Sequence, residues 1–141
     1  MSVLRLTGIG HSYFGRTVLD GIDLRVEHGE VVALVGPSGC GKSTLVHIAA
    51  NVTEPRRGAV VRGYRRHGMV FQGPRLLPWA TALDNIAYPL RISGVGRRER
   101  AQRAREAAAR VAFDRIDLEK FPVELSGGMQ QRVAIARALV V

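Results

Sequence analysis

Nine consecutive residues, 36–44, constrain this sequence more than any other segment. They read GPSGCGKST and fit the phosphate-loop pattern G-x-x-x-x-G-K-[ST] without a mismatch. A continuous apolar run at residues 31–35 precedes them and predicts a parallel strand buried on both faces. Residues 43–50 can form a helix. The loop therefore lies between an expected strand and an expected helix, as a phosphate loop requires.

Each residue type in this phosphate loop suits the binding of phosphate groups. Its glycines can adopt backbone angles closed to other residues, so that successive amide N–H groups form an anion nest. The positive end of the following helix faces the same place. The ammonium of Lys42 would reach the β- and γ-phosphates, and the hydroxyl of Ser43 would bind Mg²⁺. The expected nucleotide-binding residues are Gly36, Pro37, Ser38, Gly39, Cys40, Gly41, Lys42, Ser43 and Thr44. A glycine turn with an incidental lysine is the alternative.

Length and composition are those of a globular domain. The chain has 141 residues, of which 46% are hydrophobic, and its single cysteine, Cys40, cannot form an internal disulfide. No apolar run approaches the length of a membrane span, and the N-terminal residues lack the pattern of a signal peptide. We therefore expect a cytoplasmic protein that reaches a membrane through a partner.

The formal net charge of +9 is unevenly distributed along the sequence. Residues 56–75 contain six arginines and no acid, and residues 91–115 contain eight arginines and three acids. A basic surface can bind nucleic acid, but no series of base-stacking aromatic residues and no known nucleic-acid module accompanies these arginines. We expect a solvated or partner-facing surface, with nucleic acid an unfavoured partner.

The remaining pattern predicts alternating strands and helices. Strands are expected at four segments, residues 3–9, 22–27, 58–62 and 68–71. Prolines break regular structure at residues 73–78, and residues 121–126 form a linker. Helices are expected at three further segments, residues 82–92 with an interruption at Pro89, residues 97–113 and residues 127–141.

A second motif, LSGGMQQR, occupies residues 125–132. Ser126 is a good N-cap, and two glycines leave the helix start open to an anion, although a helix start without a ligand would look the same. Together with the phosphate loop, the motif resembles the signature of the nucleotide-binding subunits of ABC transporters. In that family the signature contacts ATP held by the opposite subunit. The resemblance implies this role for the residues that form the signature here, Leu125, Ser126, Gly127, Gly128, Met129 and Gln130.

The resemblance covers essentially the whole chain and implies its fold. That fold is the α/β ABC nucleotide-binding domain, a RecA-like P-loop NTPase with an N-terminal antiparallel β part and a helical subdomain. We expect the β part and phosphate-loop core at residues 1–72, the glutamine loop and helical subdomain at residues 73–126, and the signature helix at residues 127–141.

The resemblance also assigns two further site residues. Tyr13 lies where the family places an aromatic ring that stacks on adenine, with Phe14 as the fallback and a half-buried strand-end aromatic as the alternative. Gln72 matches the family glutamine that contacts Mg²⁺ and the attacking water. The implied metal-binding residues are therefore Ser43 and Gln72.

Residues 74–86 resemble the importer ATPases for nitrate, sulfonate and taurine. Trp79 would lie near the surface that contacts the membrane subunit, with a packing tryptophan as the alternative. The resemblance implies ATP and Mg²⁺ as cofactors, a transmembrane permease, a homodimer in the full-length form and an indirect link to a periplasmic or lipoprotein solute-binding protein. It implies a place on the inner face of the cell membrane. A non-transport ABC ATPase and a non-hydrolysing nucleotide-binding fragment are the alternatives.

Two family elements do not occur in the 141 residues. Family members continue from the signature helix into an apolar strand that ends in Asp-Glu, the Walker B motif, and then to a switch histidine. No carboxylate side chain follows Glu124, and the four histidines all precede the signature. We therefore expect a partial ABC ATP-binding domain, truncated before the Walker B motif. Its general base would lie beyond Val141, and these residues alone would not hydrolyse ATP.

Overall fold

A long β-hairpin forms the N-terminal part of the chain. In the computed structural model, which describes residues 2–141, strand β1 spans Ser2–Tyr13 and strand β2 spans Arg16–Glu27. Strand β3, Arg57–Arg62, pairs antiparallel with the other edge of β1, so that the strand order is β2-β1-β3. The strands expected at residues 3–9, 22–27 and 58–62 are confirmed, and the first two are longer than expected.

This sheet packs against helix α1, Lys42–Ala49, which confirms the helix expected after the phosphate loop. Together they form a unit that ends at Arg65. Its core contains five buried apolar residues, Leu6, Ile9, Leu19, Leu45 and Ile48. Full burial of such a side chain contributes roughly 1.5–3 kcal/mol. The core therefore fixes α1, and with it the end of the phosphate loop, on the sheet.

The apolar run at residues 31–35 is not a strand, so this prediction is wrong. Leu34 packs against the core, but Val31 and Val35 are 95% and 93% exposed. A strand needs a hydrogen-bonded neighbour, and both edges of β1 are already occupied by β2 and β3. Within residues 2–141, no strand pairs with this run, which leads into the phosphate loop in an irregular conformation.

Three helices dominate the second unit, Arg66–Val141. They are α2, Ala82–Ile92; α3, Arg97–Arg110; and α4, Gly127–Leu139. Two short 3-10 turns, Arg115–Asp117 and Pro122–Glu124, lie between α3 and α4. Small and branched side chains line the faces that meet, among them Ala82, Ile86, Leu90, Ala104, Ala108, Val133 and Ala136. Because alanine is short, α3 can pack closely on its neighbours.

The strand expected at residues 68–71 is also wrong, since this segment is irregular. The backbone at Gly68 lies against the last turn of α4. A Cβ at this position would approach the carbonyl oxygen of Ala138 to 2.3 Å. The segment therefore packs on a helix, and a side chain larger than glycine has no room at its first residue.

Helix α2 continues through Pro89, so the expected interruption is wrong. Proline cannot donate a hydrogen bond to the preceding turn, but Ile86 and Leu90 are fully buried on the same side of the helix. Thr81 caps the start by accepting a hydrogen bond from the Asp84 N–H at 3.2 Å. Packing and capping together outweigh the missing bond. Helix α3 ends at Arg110, three residues earlier than expected.

Asn85 is a fully buried polar residue in the middle of α2. Its side-chain oxygen accepts a hydrogen bond from the Leu77 N–H at 2.7 Å. Its amide donates to the carbonyls of Leu77, at 3.1 Å, and Ala80, at 3.0 Å. Asn85 therefore holds the turn that precedes α2 by pairing its backbone groups.

None of the described helices meets the requirements of a membrane span. The longest, α3, has 14 residues, and within residues 2–141 none has both the length and the apolar character needed to cross a bilayer. The boundaries expected at residues 72 and 126 stay predictions.

We predict that Asn85→Ala lowers the free energy of unfolding by about 2–4 kcal/mol, because it leaves buried backbone groups without partners. Urea unfolding followed by helical circular dichroism measures the change. Gln102→Ala is the control, since Gln102 is exposed and its amide donates to the exposed side chain of Glu106; this change should cost less than about 0.5 kcal/mol. Equal losses in the two variants would contradict the role of Asn85.

Candidate functional site

The phosphate loop is shaped by glycines with left-handed backbone angles. Gly39 has a φ of +78° and Gly41 a φ of +96°. A Cβ at Gly41 would also lie 2.8 Å from Cδ2 of Leu19 and 2.9 Å from the carbonyl oxygen of Val18. Position 41 therefore requires glycine for two reasons, its backbone angles and its close approach to β2.

The ammonium of Lys42 lies against its own loop. Nζ donates hydrogen bonds to the carbonyl oxygens of Gly36, at 2.7 Å, and Pro37, at 2.6 Å. It also lies 3.5 Å from Sγ of Cys40, which is an exposed thiol. These contacts hold the positive charge beside the loop.

The start of α1 is open to an anion. The first hydrogen bond of the helix joins the Leu45 N–H to the Gly41 carbonyl at 2.9 Å, so the N–H groups of residues 42–44 precede it. No side chain caps this end, and no acidic residue occupies the first turn. Ser43 is exposed here, while Thr44 is buried. Uncapped N–H groups beside an ammonium fit a phosphate group in charge and in hydrogen-bonding capacity.

Two side chains hold the opposite end of α1. The guanidinium of Arg62 donates to the carbonyls of Ile48, at 2.6 Å, and Ala49, at 3.0 Å. The hydroxyl of Tyr64 donates to the same Ala49 carbonyl at 2.7 Å. A cation at the C-terminal end of a helix is also favoured by the helix dipole. The helix that begins in the phosphate loop is therefore fixed at both ends.

The two aromatic residues at the tip of the hairpin differ in exposure. Tyr13 is 42% exposed, and its ring meets the ring of His11 edge-on, with 4.7 Å between centroids. Phe14 is fully exposed and has a φ of +49°, which is strained for a bulky residue. A strained and fully exposed ring gains nothing from packing within this chain. Phe14 is thus the more accessible of the two rings.

The signature residues of the second unit divide into an inward and an outward set. Leu125 is buried, Met129 packs against the helical core, and the amide of Gln130 donates to the Pro122 carbonyl at 2.9 Å. Ser126 caps α4 by accepting from the Met129 N–H at 3.3 Å. By contrast, a Cβ on Gly127 or Gly128 would meet no atom within 4 Å. Among residues 2–141, no neighbouring group therefore fills the space that side chains at these two glycines would occupy.

Two further residues of the second unit lie at the surface. Gln72 is exposed in an irregular segment. Trp79 is 75% exposed, so the alternative interpretation of Trp79 as a packing tryptophan is wrong. It lines a groove of about 200 Å³ together with Leu77, Ala80, Asp84, Ala87, Tyr88, Arg91 and Arg100. This groove combines aromatic surface with charges of both signs.

The described residues contain no cluster of three or more His, Cys, Asp or Glu side chains that could hold a metal ion. The metal-binding roles expected of Ser43 and Gln72 stay predictions from the sequence resemblance.

Several structurally important residues had no signal in the sequence. Arg62 and Tyr64 lie in an arginine-rich stretch, and Arg137 lies late in a helical pattern. Their partners are backbone carbonyls distant in sequence, at Ile48, Ala49, Pro74 and Arg75. Periodicity does not reveal such contacts, because any carbonyl can accept a hydrogen bond.

Comparison with known proteins gives one consistent result. The family profile described as ABC transporter matches residues 19–141. The chain is 45% identical to the aliphatic sulfonates import ATP-binding protein SsuB 1 of Rhodococcus jostii, over 97% of this chain and 55% of that protein. It is 46% identical to the lipoprotein-releasing system ATP-binding protein LolD of Geobacter metallireducens, over 99% of this chain and 69% of that protein. The chain therefore spans between about half and two thirds of these relatives.

Solved structures agree with the sequence relatives. The dimeric structure of MJ0796, a bacterial ABC transporter cassette, superposes with a TM-score of 0.90 at 32% identity, over 97% of this chain and 69% of that one. A second dimeric structure of MJ0796, in a post-hydrolysis state with ADP and Pi, gives a TM-score of 0.86. The resemblance and the fold class expected from the sequence are confirmed.

We predict that Arg62→Met loosens α1, because it removes the cation at the end of the helix and the two hydrogen bonds that the guanidinium donates to the carbonyls of Ile48 and Ala49. Amide hydrogen exchange over residues 45–51 should become about tenfold faster. The matched control is Arg57→Met, since Arg57 also lies on β3 but its guanidinium pairs with the exposed Asp20 at 2.6 Å. The account is wrong if both variants change α1 exchange equally.

Proposed function

We propose that this chain, which belongs to the ABC transporter family, is the ATP-binding and ATP-hydrolysing part of an importer that moves a small solute through a separate permease. The observation that carries the proposal is the phosphate loop, where Lys42 and the open start of α1 converge. Because the chain spans 55% of its sulfonate-importing relative, hydrolysis and transport are proposed for the whole protein.

Nucleotide binding follows from the charges at this loop. The N–H groups at the start of α1 would hold the phosphates, with Lys42 exchanging a loop carbonyl for a phosphate oxygen. Ser43 is exposed beside them and would bind Mg²⁺, with Gln72 as a further contact. ATP supplies the phosphoanhydride bond whose cleavage drives the cycle. The remaining loop residues, Pro37, Ser38, Gly39, Cys40 and Thr44, would shape the cradle.

The outward half of the signature favours a second site of contact. Ser126, Gly127 and Gly128 are exposed around an uncrowded helix start, which suits the phosphates of a nucleotide held by another subunit. The cassettes of MJ0796 are dimeric. We therefore propose a homodimer of the full-length protein in which each ATP lies between a phosphate loop and a signature.

Hydrolysis needs a carboxylate to polarise the attacking water. We propose that the whole protein supplies this carboxylate as its general base. On this proposal, the phosphate loop binds the nucleotide, and the carboxylate activates the attacking water.

The groove at Trp79 is the proposed contact with the permease. An exposed tryptophan beside Tyr88, Asp84 and two arginines can accept an amphipathic segment by burying its apolar side and pairing its charges. This contact would hold the protein at the inner face of the cell membrane, with a solute-binding protein linked only through the permease. The solute class proposed is nitrate, sulfonate or taurine.

A second candidate function rests on the lipoprotein-releasing relative. This relative is as similar to the chain as the sulfonate importer is. The corresponding role would be to supply ATP to a complex that releases lipoproteins. Co-purification distinguishes the two candidates, because only the first predicts an importer permease bound through Trp79. The phosphate-loop chemistry is the same in both.

We predict that Lys42→Ala raises the Kd for ATP roughly ten- to a hundredfold, because a charge-assisted contact to phosphate is lost. Titration with a fluorescent ATP analogue measures this. Lys120→Ala removes the other lysine, whose ammonium pairs with Asp117 at 2.6 Å, and should leave the affinity unchanged. If the lysine variants bind ATP equally well, the proposed site is wrong.

We further predict that Phe14→Leu weakens ATP binding about tenfold, and more than Tyr13→Leu does. Stacking on a base requires a free ring face, and Phe14 is the fully exposed ring. Both variants retain an apolar side chain, so the comparison isolates the aromatic face. A larger loss in Tyr13→Leu would assign the stacking to Tyr13, as the sequence resemblance implies.

A further inference from the structure

The segment around Gln72 is attached to α4 on both sides. On one side, Gly68 lies against the backbone of Ala138. On the other, the guanidinium of Arg137 donates to the carbonyls of Pro74, at 2.8 Å, and Arg75, at 3.0 Å. We name residues 68–75 the Gln72 loop. Both ends of this loop rest on the last turn of the helix that begins at the signature.

Arg137 is poorly replaceable at this position. Its side chain is partly buried, and burial lowers the pKa of its guanidinium. Arginine nevertheless stays protonated in proteins, so its charge needs acceptors. The two consecutive carbonyls supply them, and the planar guanidinium can bind both at once. The contact therefore fixes the orientation of the loop backbone as well as its distance from α4.

The loop is strained where Arg137 holds it. Arg75 has a φ of +44°, a left-handed angle that a long side chain rarely adopts. Its guanidinium lies 5.2 Å from the ring centroid of Phe71, the residue that precedes Gln72 in the sequence. Such strain persists only where the surroundings impose it. Arg137 and the Phe71 ring both contact the chain at this strained residue.

Helix α4, which joins the signature to the residues that hold the Gln72 loop, is a rigid element. Helix α4 runs for 13 residues from Gly127 to Leu139, which is about 20 Å. Val133, Ala134 and Ala136 are buried along it. A displacement at the signature end would therefore be transmitted along the helix axis to the end that carries Arg137.

We propose that Arg137 is a positioning residue for Gln72, tying the Gln72 loop to the signature helix so that the two move as one body. The consequence for catalysis rests on the proposed function, in which Gln72 contacts Mg²⁺ and the signature contacts the nucleotide of the opposite subunit. Contact at the signature would then set the position of Gln72 within the same chain.

Limited trypsin digestion tests the attachment without any nucleotide. Trypsin should cleave the Arg75–Leu76 bond faster when the loop is released from α4, and cleavage of the Arg91–Ile92 bond in α2 reports unfolding of the helices. In Arg137→Met, cleavage after Arg75 should rise about tenfold relative to cleavage after Arg91. Arg137→Lys, which keeps the charge and one donor direction, should show a smaller rise.

Arg132→Met is the matched control, because Arg132 lies on the same helix and donates to the Ala112 carbonyl at 2.9 Å. It should leave cleavage after Arg75 unchanged. An equal rise at Arg75 in both variants, or no rise in Arg137→Met, overturns the proposal. If Arg137→Met does not fold, the ratio of cleavage after Arg75 to cleavage after Arg91 is measured in Arg137→Lys. A rise in this ratio over the unaltered chain supports the proposal, and no rise overturns it.

Nucleotide binding tests the consequence for Gln72. The affinity of a fluorescent ATP analogue is measured with and without Mg²⁺ in Gln72→Ala and Arg137→Met. Both variants should lose the gain in affinity that Mg²⁺ provides, and both should keep the affinity measured without Mg²⁺. A loss in Gln72→Ala alone overturns the positioning role and leaves the proposed function intact. If the unaltered chain binds no ATP, the proposed function fails, and the digestion still decides whether Arg137 holds the loop.

Discussion

The close approach of Gly41 to strand β2 is the constraint on which the phosphate loop depends. An eight-residue helix is too short to be stable by itself in water, so α1 must be held by its surroundings. Its N-terminal end is held by the contact of Gly41 with Val18 and Leu19, and its C-terminal end by Arg62. With both ends fixed, the open N–H groups at its start keep one direction. Pre-organisation of this kind reduces the entropy lost when a ligand binds.

The second unit uses one fully buried and one partly buried polar side chain to shape its loops. Asn85 pairs the backbone of the turn before α2, and Arg137 pairs the backbone of the Gln72 loop. Each supplies hydrogen-bond donors to backbone carbonyls of an irregular segment. The same arrangement leaves Trp79 and Gln72 at the surface. The hydrogen bonds of Asn85 and Arg137 therefore hold the irregular segments that present Trp79 and Gln72 at the surface.

Local sequence patterns predicted the parts of the structure that local interactions determine. The phosphate-loop motif, the hairpin strands and helices α1 to α4 follow from glycine spacing, periodicity and capping. The runs at residues 31–35 and 68–71 did not form strands, because strand formation depends on a partner and not on apolar composition. Pro89 lies inside a helix because its buried neighbours outweigh one lost hydrogen bond. The contacts of Arg62 and Arg137 depend on tertiary structure and could not be read from spacing.

The central claim is that the phosphate loop and the start of α1 form a ready-made phosphate site. Amide chemical shifts of the chain, recorded by nuclear magnetic resonance during addition of ADP, test it most directly. The account predicts that the amide protons of residues 39–44 move downfield, because they donate to phosphate, while those of residues 45–49 keep their helical shifts. Unchanged shifts at residues 39–44 would contradict the account. Shifts of residues 45–49 that become helical only after ADP is added would also contradict it, because α1 would then form on binding.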